Sequence, residues 1–120
     1  MSKILIVDDE VHNIFALKAV LKSRGYTIET ANSVQEMFGK LAQGINVALI
    51  LMDMMMPEID GYEATQQLKQ DERYRHIPVI AVTAQAMSHD RDRCLSVGAS
   101  EYISKPIDVD KLLIAIKTCK

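Results

Sequence analysis

The chain is expected to fold as an α/β protein, with a single doubly wound parallel sheet of five strands and five helices on both faces. Three observations point there. Short apolar runs of strand length alternate with longer amphipathic ones along the 120 residues, the pattern of βαβ units whose right-handed crossovers put helices on both faces of one sheet. Two runs, "NVALILM" (46–52) and "IPVIAVTA" (77–84), are continuously apolar, as strands covered on two sides are. Every connection is short and the length suits one hydrophobic core, so a single domain over residues 1–120 is expected.

Taken in order, "KILIV" (3–7) has the β-branched content of a strand. Residues 13–24 place Ile14, Leu17 and Leu21 on one helical face, and Arg24-Gly25 supplies the stop. "YTIETA" (26–31) alternates apolar and polar residues and suits an edge strand. Ser33 followed by Glu36 forms a capping box for a helix running to Gln43 and closed by Gly44. After the third strand, Asp60 to Lys69 reads as a helix with Ile59, Tyr62, Thr65 and Leu68 inward. After the fourth strand, Ser88 is placed to cap "SHDRDRCLSVGA", whose strong apolar anchors are Cys94, Leu95 and Val97 alone. So sparse a face predicts weak docking and makes this helix the candidate for motion. "EYIS" (101–104) is the fifth strand. Asp108 caps a last helix with Val109, Leu112, Leu113 and Ile116 at i, i+3, i+4, i+7 spacing, and Lys117 and Lys120 favour its C-terminal dipole.

Composition excludes several classes of function. Hydrophobic residues at 48% and charged ones at 25% argue against disorder. The 14 basic and 16 acidic residues are well mixed, so no broad basic face for direct nucleic-acid binding is expected. Cys94 and Cys119 lack the spacing of a disulfide framework or a zinc site and read as reduced thiols. The short apolar start turns acidic too early for a signal peptide, and no run approaches the ~20 apolar residues of a membrane span, so a cytoplasmic protein is expected.

The chemistry lies where the strands end, because ligands of open parallel sheets bind beyond the strands' carboxyl ends. The first strand ends in Asp8, Asp9 and Glu10, the third in Asp53, the fourth in Thr83, and the fifth in Ser104, Lys105 and Pro106. Singly, each has a structural reading: the first-strand acids as first-turn residues of a helix, Asp53 as a turn cap, Thr83 as a strand residue, Lys105 as a surface lysine. Gathered on one rim they are harder to explain so. Unit charges about 4 Å apart interact by roughly 4 kcal/mol at an effective dielectric near 20, so clustered carboxylates call for a cation. An all-oxygen set suits Mg²⁺. Asp53 is then positioned as a nucleophile toward phosphorus, with the metal and Lys105 neutralising the transferring oxygens and Thr83 donating a hydrogen bond to the product.

These residues resemble the receiver domains of two-component response regulators over essentially the whole chain. The resemblance is carried by "ILIVDDE", "LMDMMMPEIDG", "VIAVTA" and "YISKP", standing in that family's order and spacing. It implies a flavodoxin-like sheet in the order 2-1-3-4-5. It further implies that Asp8 and Asp9 are the acidic metal pair, Asp9 direct and Asp8 through water, and that Asp53 is the phosphoacceptor. The main-chain carbonyl of Met55 would be another Mg²⁺ ligand, Thr83 the switch hydroxyl, Lys105 the phosphate-sensing ammonium and Tyr102 the aromatic switch residue, with a cis bond before Pro106. The implied partners are a histidine kinase or histidine phosphotransfer protein and an output partner that reads the fourth helix, fifth strand and fifth helix. Such a domain is no enzyme beyond promoting its own phosphorylation and dephosphorylation. Met55, with no group to orient water, predicts slow self-hydrolysis, whereas Met54 and Met56 read as packing residues. A flavodoxin-like electron carrier would need a Ser/Thr/Gly-rich loop where "DDE" stands, and an aspartate-nucleophile phosphatase a DxD arrangement after the first strand. The remaining alternative is a receiver-like scaffold that works without phosphorylation.

Overall fold

The computed structural model describes residues 3–56, 61–84 and 88–119, with the backbone alone over 88–90. The expectations for Ile59, Asp60 and Lys120, and for the side chain of Ser88, lie outside the described residues. Strands and helices alternate strictly: β1 (Lys3–Val7), α1 (Val11–Ser23), β2 (Ile28–Ala31), α2 (Val34–Ala42), β3 (Val47–Asp53), α3 (Gly61–Gln70), β4 (Val79–Thr83), α4 (Ser88–Ser96), β5 (Glu101–Ser104) and α5 (Val109–Cys119). The five strands are all parallel, in the order β2-β1-β3-β4-β5. Strand order therefore reverses between β1 and β3, and that switch point is where a crevice opens beyond the strand ends.

Strand pleating divides the interior in two. Ile4 and Ile6 of β1, Leu49 and Leu51 of β3, Ile80 and Ile103 pack against Leu17 and Leu21 of α1 and Leu112 and Ile116 of α5. Their neighbours Leu5, Val7, Ile50, Met52 and Ala81 face the other way, onto Met37 and Leu41 of α2, Tyr62 and Leu68 of α3, and Cys94 of α4. This period-2 partition explains why β1 and β3 are apolar at successive positions, since each side chain reaches one core or the other.

Local signals set most boundaries. Ser33 accepts from the Glu36 amide at 3.0 Å, and the Glu36 carboxylate accepts from the Asn32 amide at 2.9 Å, closing the capping box one residue early. Asp108 accepts from Asp110 and Lys111 amides at 2.9 and 3.3 Å. Gly25, at φ 90°, ends α1, with the Tyr26 amide donating to Leu21 and the Gly25 amide to Lys22. Tyr26 is thus spent on the helix stop, which is why β2 starts later than the apolar pattern suggests. Helix α1 in turn begins at Val11, earlier than expected, because the Asp8 carboxylate accepts the Glu10 amide at 2.9 Å and turns the chain at once. That early start adds Val11, which is exposed, as is Phe15 one turn on. In α4 Cys94 is buried and Val97 half-buried, but Leu95, expected as an anchor, is exposed. Among the described residues no helix is long and apolar enough to cross a membrane.

Candidate functional site

Register makes the rim. Val7 pairs with Met52, so Asp8 and Asp53 follow on adjacent strands at the switch point, and Asp53 pairs in turn with Val82, just before Thr83. Asp8 and Asp53 are 3% and 4% exposed, while Asp9 stands in solvent. One carboxylate oxygen from each of Asp8, Asp9 and Asp53 lies within 4.8 Å of the others. The Lys105 ammonium is 3.8 Å from Asp8 Oδ2 and 3.7 Å from Asp53 Oδ1. Its main-chain amide donates to the Thr83 carbonyl at 2.8 Å, fixing the root of the side chain at the end of β4. The Lys105–Pro106 bond is cis.

Three carboxylates against one ammonium leave the cluster negative, and the strain falls on Asp8. Burial, above all, raises its carboxyl from 3.8 to about 6; the Glu10 amide and Lys105 pull it down and the Asp53 charge pushes it up. Asp53 Oδ1 also accepts the Met55 amide at 3.0 Å, which holds the carboxylate in place. An all-oxygen, net-negative donor set with one exposed member fits a hard divalent cation that keeps part of its water shell, as Mg²⁺ does. The residues present therefore fit Mg²⁺, with Asp8, Asp9 and Asp53 to hold it.

The other expected residues are spread around this centre. Thr83 is fully buried at the end of β4, opposite Ser104. Tyr102 lies opposite Ala81 and half-buried against the α2–α4 core, set back from the acidic cluster rather than within it. Thr83 and Tyr102 fall on the same pleat phase as Ala81, the phase that faces α4. Met55 is 49% exposed, whereas Met54 and Met56 are buried in the core.

Two features escaped sequence reasoning. Gly61 is pressed against the end of β3: a Cβ there would lie 2.5 Å from the Asp53 carbonyl oxygen and 2.6 Å from Met54 Cα. Its amide donates to Met54 at 3.3 Å. The glycine is conspicuous in the sequence, but only the packing of α3 onto the end of β3 reveals its task. Beside Lys105, an open groove of about 510 Å³ runs between α1 and the β5–α5 turn, lined by residues such as Leu17, Val20, Ile107 and Val109.

Comparison with known proteins agrees with this geometry. The family model described as the response regulator receiver domain matches residues 4–117. The polar-differentiation response regulators DivK of Brucella anthropi and Brucella ovis are each 42% identical over 116 residues, covering 96% of this chain and 93% of theirs. Among solved structures, Vibrio cholerae chemotaxis protein CheY4 superposes with a TM-score of 0.90 at 27% identity, covering 100% of this chain and 99% of its own. The signal receiver domain of a Syntrophus aciditrophicus histidine kinase does so with 0.87 at 33% identity, covering 99% and 89%.

Proposed function

Because the chain belongs to the response regulator receiver family of two-component signalling, we propose that it is a phosphoacceptor switch in which Asp53 takes a phosphoryl group from a phosphohistidine donor. The observation that carries this reading is Asp53 itself: a buried strand-end carboxylate, 3.7 Å from the Lys105 ammonium and clustered with Asp8 and Asp9. An Asp53 carboxylate oxygen attacks phosphorus, the P–N bond of the donor's phosphohistidine breaks, and the imidazole leaves with its electron pair. Asp8, Asp9, Asp53 and the Met55 main-chain carbonyl would hold Mg²⁺, which neutralises charge on the transferring oxygens when bound. Lys105, 3.8 Å from Asp8 Oδ2 and 3.7 Å from Asp53 Oδ1, contributes a second positive charge. The donor is a histidine kinase or phosphotransfer protein in the cytoplasm. Its phosphohistidine must reach the rim, and the apolar groove next to Lys105, with Phe15 and Val11 exposed on α1, offers it a contact surface.

Phosphorylation changes the output surface through the pleat. The added charge and acceptor oxygens draw Thr83 and Lys105 toward Asp53. Thr83 leaves space on the side that Tyr102 and α4 share, and α4 is held there by few side chains. The population shifts toward a second arrangement of α4, β5 and α5, the face an output partner reads. Met55 brings no polar group to align water, so the acyl phosphate is long-lived and the domain acts on no substrate but itself.

The test is phosphoryl uptake from acetyl phosphate, followed by intact mass. One phosphoryl group is expected on the parent with Mg²⁺, none after chelation, and none on Asp53→Asn. Uptake by both proteins, or by neither, contradicts the reading.

A further inference from the structure

The sulfur atoms of the described residues are unevenly protected. Met37, Met52 and Met54 are fully buried, Met56 is 7% exposed, and Cys94 is buried, but Met55 is 49% exposed. The half-buried Cys119 thiol is pushed up from its ordinary value, first by burial and then by the Glu101 charge, so little of the reactive thiolate forms. Among the described residues, an oxidant in solution therefore meets the Met55 thioether before the other sulfurs. The same residue donates its amide to Asp53 Oδ1 at 3.0 Å, so its side chain is rooted beside the phosphoacceptor.

We propose that Met55 is an oxidation site through which a peroxide-class oxidant shortens the lifetime of phosphorylated Asp53, an inference that rests on the phosphoacceptor reading above. The sulfur lone pair attacks one peroxide oxygen and breaks the O–O bond. That oxygen stays on sulfur as the sulfoxide, and its proton passes to the departing oxygen, which leaves as water from hydrogen peroxide or as an alcohol from an organic hydroperoxide. Sulfur is oxidised by two electrons as the peroxide is reduced. Asp53 takes no part in this step. The product replaces an apolar side chain by a polar one whose oxygen accepts hydrogen bonds. A thioether beside the acyl phosphate sheds water; a sulfoxide there holds it and brings it within reach of phosphorus. Methionine sulfoxide reductases reverse the change, which makes the lifetime adjustable.

The experiment treats the unphosphorylated protein with dilute hydrogen peroxide, maps each methionine by peptide mass, then loads it with acetyl phosphate and Mg²⁺, removes the donor and times the loss of phosphate. Met55 is expected to oxidise ahead of Met37, Met52, Met54 and Met56, and decay to quicken about threefold or more. Decay of Met55→Leu, which lacks the sulfur, should be the same with and without peroxide. Oxidation of the buried methionines at the same rate as Met55, an unchanged decay after Met55 is oxidised, or an equal response of Met55→Leu would each overturn the proposal. Failure of unoxidised protein to take up phosphate would instead sink the phosphoacceptor reading, and is told apart because the oxidation map needs no phosphate.

Discussion

Burial beside Asp53 raises the Asp8 carboxyl from 3.8 to about 6, so the folded chain holds this proton more tightly than the unfolded one. For such an acid the contribution to stability is full below the unfolded value of 3.8, falls as pH rises toward about 6, and is constant above. A divalent cation needs the ionised form and competes with the proton. Mg²⁺ affinity is therefore expected to weaken as pH drops below about 6, by up to about tenfold per unit. Titrations of Mg²⁺ at several pH values would show this, and an affinity flat from about pH 5 to about pH 7.5 would contradict it. Gly61 makes a second prediction at this scale. With a Cβ placed 2.5 Å from the Asp53 carbonyl, Gly61→Ala must displace backbone rather than a yielding side chain. A loss of about 1–3 kcal/mol by urea unfolding, with impaired phosphoryl uptake, is expected; parent-like stability and uptake would show that the contact is slack.

At the scale of single elements, α4 is the weakly tied one. Its one fully buried described side chain is Cys94, and the Arg93 guanidinium lies 3.8 Å from the Tyr62 ring centroid at the start of α3. Few apolar contacts mean low local stability. Amide hydrogen exchange in α4 is expected to outpace that in α3 and α5, and to change on phosphorylation; equal protection of all three helices would remove α4 as the moving part. Sparse anchors made this weakness legible in the sequence, as Ser33 and Asp108 made their helix starts legible, because caps and amphipathic spacing are local. The exposure of Leu95 and the early start of α1 were not legible. The first depends on how the helix is rotated against the sheet, and the second on the Asp8 carboxylate turning to the Glu10 amide.

Across the whole molecule, topology does what no local motif can: it brings Asp8, Asp53 and Lys105, each at the end of a different strand, into one cluster at the β1–β3 switch point. Strand-helix alternation was enough to place their strands' ends on a common rim, since parallel strands share a direction. The strand order itself came from the family resemblance, because hydrophobic pattern does not say which strand neighbours which. The close fit of Gly61 against Asp53 likewise depends on elements meeting in space. The claim on which the account turns is that phosphate is bonded to Asp53 and to no other carboxylate of the cluster. Reducing the phosphorylated protein with borohydride converts the acylated aspartate to homoserine, which peptide mass spectrometry locates. Homoserine at position 53 alone is the predicted result; homoserine at Asp8 or Asp9, or at none of the three, would contradict it.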